Sequence, residues 1–294
     1  AAEAGVKAGD IILSVGGKEI VRGDMKPQEF SSKVSEALRG EPGTSFVLKV
    51  LRPLKNDSTV MEFKITRKNI RTNPVPYYGM VKDSIGYLAL SSFTENSAKD
   101  FKKAFIELKQ KGAKSLIIDL RDNGGGSLSE AVDIVNLYVP KGQEIVVTKG
   151  KVRQAQGSYK TQNEPVDTQI PLAVLVNGAT ASASEIVSGS LQDLDRAVVI
   201  GSRTFGKGLV QTIRPLPYNG TLKVTTSKYY IPSGRCIQAI DYAKKNADGS
   251  VARTPDSLTT VFHTAAGREV RDGGGIRPDI EVKGDKIPNI VFYL

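Results

Sequence analysis

The chain has 294 residues, 39% hydrophobic and 24% charged, a composition typical of a soluble globular protein with one large domain or two ordinary ones. The single cysteine, Cys236, excludes an internal disulfide, and with one histidine, His263, soft ligands are too few for a zinc site. The formal net charge of +10 comes from scattered lysines and arginines without tryptophan, so it predicts a solvated surface and no nucleic-acid partner. No segment has the roughly 18 uncharged apolar residues of a spanning helix or the layout of a signal peptide.

The first segment, residues 1–67, has the pattern of a small mixed module. A short apolar strand is predicted at Ile11–Val15, and a helix with one apolar face is predicted between Pro27 and Gly40. Alternating apolar residues on either side of a turn then predict a hairpin. The stretch AAEAGVKAGDIILSVGGKEI with this helix and hairpin resembles the second half of a PDZ domain. The resemblance implies binding of a peptide C-terminus, with the carboxylate loop preceding Ala1.

Residues 68–80 contain Pro74-Val75-Pro76 and predict a linker, after which residues 81–294 alternate between strand and helix patterns. Continuous apolar runs at Ser115–Leu120 and Leu172–Val176 are typical of strands buried on both faces. The fold class is therefore predicted to be α/β. The polar, glutamine-rich residues 141–170 predict a mobile surface excursion.

A serine follows the second of these strands, in the run Asn177-Gly178-Ala179-Thr180-Ala181-Ser182-Ala183-Ser184-Glu185. Ser182 and Glu185 have the spacing of a capping box, so Ser182 is either a helix N-cap or a nucleophile placed at the positive end of a helix dipole. Thr180 and Ser184 are alternative hydroxyls. A nucleophilic serine needs an adjacent base, and this requirement distinguishes the two interpretations.

Two residues are candidates for that base. His263 lies in a strand-like context with no carboxylate signature beside it, which is more typical of a structural histidine. Lys207 lies in the apolar, glycine-rich run Thr204-Phe205-Gly206-Lys207-Gly208. Burial there would lower the pKa of a lysine toward neutrality and allow it to act as a base.

The same run offers a nucleotide-binding alternative, because Gly201 to Lys207 satisfies the pattern G-x-x-x-x-G-K. Gly208 stands where serine or threonine would bind magnesium. The following Leu209–Ile213 is β-branched and soon meets proline, so no helix is expected to present its N-terminus to a phosphate.

Three ordered motifs carry a second resemblance: LIIDLRDNGGGSLSEAV from Leu116, LVNGATASASEIVSGSLQD from Leu175 and GSRTFGKGLVQ from Gly201. With the later segments KYYIPSGRCIQAIDY and DGGGIRPDIEV, they resemble the C-terminal processing peptidases, also called tail-specific proteases. A PDZ domain ahead of the protease core is the usual arrangement of that family. The resemblance covers nearly the whole chain.

The resemblance assigns roles to residues position by position. Ser182 matches the family nucleophile, Lys207 its base, and Gln211 the glutamine that positions the lysine amine. The oxyanion hole is implied to use the backbone amides of Ala183 and of a glycine in the run from 124 to 126, taken as Gly125. Gly124 stands where many relatives have proline, so the choice within Gly124 to Gly126 stays open.

The resemblance further implies a crotonase-like spiral of ββα units joined to a partial PDZ module. The implied activity is that of a serine endopeptidase with a Ser-Lys dyad that acts through an acyl-enzyme, without cofactor or metal. The implied partners are protein or peptide substrates recognised at an unstructured C-terminus, in an extracytoplasmic setting such as the periplasm or cell envelope. A homo-oligomer is left open, and the alternative function is a non-enzymatic PDZ-type peptide-binding scaffold.

Overall fold

The computed structural model describes residues 1–55, 57–70, 72–245, 248 and 251–282. Contacts divide the chain into two compact units, Ala1–Thr72 and Asn73–Leu294. The helices are α1 (Pro27–Leu38), α2 (Ser97–Gln110), α3 (Leu128–Asn136) and α4 (Ala183–Asp193). The strands are β1 (Ile11–Val15), β2 (Lys18–Glu19), β3 (Ser45–Pro53), β4 (Ser58–Thr66), β5 (Tyr77–Lys82), β6 (Ile85–Ala89), β7 (Ser115–Asp119), β8 (Glu144–Gly150), β9 (Gly157–Lys160), β10 (Leu172–Val176), β11 (Val198–Gly201), β12 (Leu209–Pro215), β13 (Thr221–Tyr230), β14 (Ile240–Lys245), β15 (Val251–Arg253), β16 (Val261–His263), β17 (Glu269–Arg271) and β18 (Ile280–Glu281). Across these described ranges, no helix combines the length and apolarity needed to cross a membrane.

The first unit is an antiparallel sheet in the order β2-β1-β3-β4, with α1 between β2 and β3 in the chain. The predicted strand, helix and hairpin all occur at their expected positions. The alternating apolar residues of β1 and β3 bury Val15, Leu48 and Val50 in a small core. Strand β5 begins at Tyr77, within the range 68–80 that the sequence predicts as a linker, because the aromatic pair Tyr77-Tyr78, which favours a strand, follows directly on the prolines.

A part-buried ion pair links the residue that precedes β1 to the neighbouring strand β3. Arg52 in β3 donates from Nε and Nη2 to the two carboxylate oxygens of Asp10, each at 2.7 Å. Only 2% of the Asp10 side chain is exposed. The Arg52 hydrogen bonds lower the pKa of Asp10 from 3.8 to about 2.

We expect Asp10→Asn to destabilise the first unit at neutral pH and to lose this effect in acid. The carboxylate contributes stability above its unfolded pKa of 3.8, and this contribution is lost as the pH falls toward the folded value of about 2. Hydrogen exchange of the β1 and β3 amides in the full chain measures the difference. Equal protection of variant and wild type at pH 7 would contradict a stabilising role for the Asp10–Arg52 ion pair.

The second unit is built on a six-stranded sheet in the order β18-β11-β10-β7-β6-β5. Strands β6, β7, β10, β11 and β18 run parallel, whereas β5 pairs antiparallel with β6. The apolar runs predicted as buried strands form β7 and β10, in which Leu116, Ile118, Val174 and Val176 are buried. Helices α2, α3 and α4 pack in series on this unit. The predicted α/β fold is confirmed.

A second, antiparallel sheet has the order β12-β13-β8-β9. The expectation of a mobile excursion over residues 141–170 is wrong, because β8 and β9 occupy part of this range. Ile145 and Val146 in β8 are 1% and 0% exposed. Their β-branched run is the strand signal that the surrounding lysines and glutamines obscured.

Candidate active site

Three loops of the second unit meet because they follow the carboxyl ends of the neighbouring parallel strands β7, β10 and β11. The loop after β10 leads to Ser182, the loop after β11 leads to Lys207, and the loop after β7 contains the glycine run 124–126. Backbone hydrogen bonds join them: the Ala181 amide donates to the Asn123 carbonyl, and the Phe205 amide to the Thr180 carbonyl, each at 3.0 Å. The topology thus brings the three predicted motifs together.

Ser182 has a strained backbone conformation. It is the N-cap of α4, with φ 59° and ψ −118°, and it forms the predicted capping box with Glu185. The Glu185 amide donates at 2.8 Å to the Ser182 carbonyl, so the Ser182 hydroxyl is not fully committed to the cap. A serine that only capped the helix would use its hydroxyl for that purpose. A non-glycine residue held at positive φ at a strand-to-helix turn is instead typical of an exposed nucleophile.

The two alternative hydroxyls are buried and already engaged. Thr180 Oγ1 donates to the Leu120 carbonyl at 2.8 Å, and Ser184 Oγ donates to the Asn123 carbonyl at 2.9 Å. Both side chains have 0% exposure, whereas Ser182 is partly exposed. Of these three hydroxyls, that of Ser182 is accessible to a substrate.

The Glu185 carboxylate holds the serine and lysine segments together. Its Oε2 accepts hydrogen bonds from the backbone amides of Ser182 and Lys207 at 2.8 and 2.9 Å. Its Oε1 accepts from the Thr204 hydroxyl and the Gly206 amide at 2.6 and 2.7 Å. Glu185 is fully buried, and burial raises its pKa while the accepted hydrogen bonds oppose that rise.

Tyr229, a residue that sequence reasoning missed, makes a second bridge. Its buried hydroxyl donates to the Lys207 carbonyl and lies 3.3 Å from the Ser182 carbonyl. Burial raises the pKa of Tyr229 well above its usual value, so the hydroxyl keeps its proton. The signal for this residue was its place in KYYIPSGRCIQ, one of the segments similar to the peptidase family.

Lys207 is half-buried and lines a pocket of about 600 Å³. The other lining side chains include Phe205, Leu209, Gln211, Gln238 and Tyr242. Gln211 lies on the exposed part of β12, directly opposite Thr225 of β13. Within the described part of the chain, the Lys207 amine makes no hydrogen bond to the Ser182 hydroxyl or to the Gln211 amide.

The three glycines of the run 124–126 differ in how closely other atoms surround them. A Cβ on Gly125, which has φ +95°, would lie 2.8 Å from Ser182 Cβ and 2.9 Å from the Ala183 amide nitrogen. A Cβ on Gly126 would meet the Phe93 carbonyl at 2.3 Å, and one on Gly124 would meet nothing within 4 Å. Gly125 is therefore the glycine against the serine.

The two amides implied for an oxyanion hole differ in their hydrogen bonding. Ala183 is the first residue of α4, where an amide has no intrahelical acceptor. The Gly125 amide donates instead to Asn123 Oδ1 at 2.9 Å.

The rival assignments find no support in this geometry. Gly201 is followed by irregular backbone and then by β12, so no helix N-terminus faces the G-x-x-x-x-G-K run. His263 is exposed in β16, opposite Glu269. Its hairpin contacts the far end of α4 through the Ala265 amide and the Asp193 carbonyl. That end lies roughly 16 Å from Ser182 at ~1.5 Å per helical residue.

An α/β core that presents a strained, accessible serine at a strand-to-helix turn is typical of the serine hydrolase class. The chain belongs to peptidase family S41, which it matches over residues 84–245, and it matches a PDZ domain over residues 1–52. The predicted family resemblance is thereby confirmed.

Similar proteins include the carboxy-terminal-processing protease of Bartonella bacilliformis, 40% identical over 82% of this chain and 54% of that protein. The chloroplastic C-terminal processing peptidase of Tetradesmus obliquus is 32% identical over 88% of this chain and 56% of that protein. A solved photosystem II D1 C-terminal processing protease superposes with a TM-score of 0.55 at 28% identity, covering 96% of this chain and 65% of that one. The chain thus spans about half the length of these curated relatives.

We expect Glu185→Gln to reduce peptide hydrolysis at least about tenfold and to destabilise the second unit by ~1–3 kcal/mol. The new amide group would place N–H donors against backbone N–H donors in a buried site. Glu130→Gln is the matched control. Glu130 accepts from the Asn96 and Ala98 amides at 3.0 and 2.7 Å at the start of α2, so this variant loses stability but keeps its rate. Rates are compared at a temperature where both variants are folded. An unchanged rate in Glu185→Gln would contradict the role of Glu185 in holding the Ser182 and Lys207 segments together.

Proposed function

We propose that the chain is the peptidase part of a serine endopeptidase that cleaves proteins with unstructured C-terminal tails through an acyl-enzyme on Ser182. The observation that carries the proposal is a pair of hydrogen bonds to one carboxylate oxygen. The backbone amides of Ser182, which is strained and accessible, and of Lys207, which is half-buried, both donate to Glu185 Oε2. An extracytoplasmic place of action and C-terminal recognition by the PDZ module are parts of the proposal that the family resemblance supports.

The proposed reaction uses Lys207 as general base. Its neutral amine accepts the Ser182 hydroxyl proton as Oγ attacks the scissile carbonyl carbon, and the resulting ammonium returns the proton to the leaving amine. Water then attacks the acyl-enzyme with the same amine as base. Because no hydrogen bond joins the described Lys207 and Ser182 side chains, the lysine side chain has to swing toward the hydroxyl when substrate binds.

The remaining roles concern orientation and charge. Gln211 lines the same pocket as Lys207, so its side-chain amide is placed to orient the amine. Ala183 and Gly125 would donate their backbone amides to the oxyanion, which develops beside Ser182. For Gly125 this requires release of its hydrogen bond to Asn123.

We expect Ser182→Ala to fold and to have no peptidase activity, whereas Ser184→Ala keeps a measurable rate. The Glu185 amide donates to the Ser182 carbonyl at 2.8 Å, so removal of the Ser182 hydroxyl costs at most the ~1 kcal/mol of a helix cap. Ser184 loses a buried hydrogen bond worth ~1 kcal/mol, which affects folding more than chemistry. Hydrolysis of a tail peptide, with circular dichroism as fold control, makes the comparison. Full turnover by folded Ser182→Ala would remove the assignment of Ser182 as the nucleophile.

We expect Lys207→Arg to abolish turnover although it keeps the positive charge. A general base must spend time unprotonated, and arginine stays protonated in proteins. Lys223→Arg on β13 is the control and should keep its rate. Near wild-type hydrolysis by Lys207→Arg across the pH range would refute the Ser-Lys mechanism.

A further inference from the structure

Two lysines face each other on the sheet beside the Lys207 pocket. Lys149 in β8 and Lys228 in β13 are direct partners in the antiparallel register, and Lys228 is in turn the partner of Leu209 in β12. The three residues form one row across three strands, with their side chains on one face. Both lysines are exposed.

Directly opposed like charges destabilise a sheet, and the other described strand pairs contain none. In the first unit, Lys49 of β3 lies opposite Glu62 of β4, with an ion pair of 3.6 Å. Within the second sheet itself, Glu144 lies opposite Lys160. The Lys149–Lys228 pair departs from this pattern.

Among the residues described, no carboxylate forms an ion pair with the Lys149 or the Lys228 amine. The Lys149 amine lies 4.6 Å from the centroid of the Tyr230 ring, a cation–π contact that holds it on this face without neutralising it. The result is an uncompensated, positively charged strip that we call the lysine strip, defined as Lys149 and Lys228.

The strip continues into the pocket that holds the proposed base. Leu209, at one end of the row, lines that pocket together with Lys207 and Gln211. Neighbouring strands are ~4.8 Å apart, so Lys228 lies roughly 5 Å and Lys149 roughly 10 Å from Leu209 along the row. An extended peptide rises ~3.3 Å per residue and covers these distances in two to three residues.

We propose that the lysine strip binds acidic side chains of an extended substrate, two to three residues from the residue that occupies the Lys207 pocket. This inference rests on the proposed peptidase function and adds a substrate preference to it. The occupant is acidic because the strip offers two cations and no anion, and because bringing a carboxylate between them relieves their mutual repulsion. The terminal carboxylate of a tail is the competing occupant, and amidation of the peptide C-terminus distinguishes it from acidic side chains.

The test uses tail peptides in which an Asp-Asp pair is moved along an otherwise uncharged sequence, with matched Asn-Asn peptides. The wild-type chain should cleave the Asp-Asp peptides with a higher kcat/KM at one placement of the pair. Each exposed contact should contribute roughly twofold to fivefold, and the preference should weaken at high ionic strength. The Kd of each peptide for the Ser182→Ala chain gives the same comparison independently of cleavage.

The variants localise the effect. Lys149→Gln/Lys228→Gln should bring the Asp-Asp to Asn-Asn ratio close to one, and Lys149→Glu/Lys228→Glu should invert it in favour of a Lys-Lys peptide. Lys102→Gln/Lys103→Gln, which removes two exposed charges from α2, is the matched control and should keep the wild-type ratio.

A wild-type ratio of one, or a ratio that survives in Lys149→Gln/Lys228→Gln, overturns the proposal. A preference that disappears when the peptide C-terminus is amidated, but not when Asp is replaced by Asn, also overturns it and assigns the strip to the terminal carboxylate. Selective binding without any cleavage would refute the peptidase function while retaining the acidic preference of the strip.

Discussion

The geometry of the site depends on one buried carboxylate. Glu185 accepts four hydrogen bonds, and all its donors belong to the loops around Ser182 and Lys207. An ionised carboxyl group with no exposure is costly unless its oxygens are fully satisfied. Displacement of either loop would remove hydrogen-bond donors from the buried Glu185 carboxylate. The cost of leaving that carboxylate unsatisfied therefore keeps both loops in position. The Ser182 backbone is held at positive φ by the same set of contacts, so the strained conformation of Ser182 and the burial of Glu185 support each other.

The sheet explains why this carboxylate lies where it does. In a parallel sheet the loops that follow neighbouring strands emerge at one edge, and β7, β10 and β11 are adjacent although they are far apart in the chain. Helix α4 starts at that edge directly after β10, which brings the amide end of the helix, the serine and Glu185 into one turn. The return strand β12 starts at the same edge and carries Gln211 onto the second sheet. A site of residues distant in sequence is therefore a consequence of strand order.

Much of this arrangement could be predicted because it is local. The apolar runs of β7 and β10, the helix after Ser182 and the break of the phosphate-loop pattern at Gly208 each depend on a few neighbouring residues. Contacts between distant segments could not be predicted in this way. Tyr229 reads as an ordinary strand residue, and only the fold places its hydroxyl beside the carbonyls of Ser182 and Lys207. The capping-box spacing identified Glu185 as a partner of Ser182, but nothing local revealed its bond to the Lys207 amide.

The structure also indicates how the site can change without losing its framework. Asn123 is anchored, since its Nδ2 donates at 2.7 Å to a backbone carbonyl at the end of β6 while its Oδ1 accepts from Gly125. Glycines on either side of Gly125 let the peptide bond before it rotate without moving Asn123. In the proposed mechanism, a substrate carbonyl beside Ser182 then replaces Asn123 Oδ1 as the acceptor of the Gly125 amide. One hydrogen bond of ~1 kcal/mol is exchanged for another, which strengthens as negative charge develops on the substrate oxygen. In the proposed mechanism, Glu185 holds the backbones of Ser182 and Lys207 in place, so the rearrangement is limited to the glycine run and the Lys207 side chain.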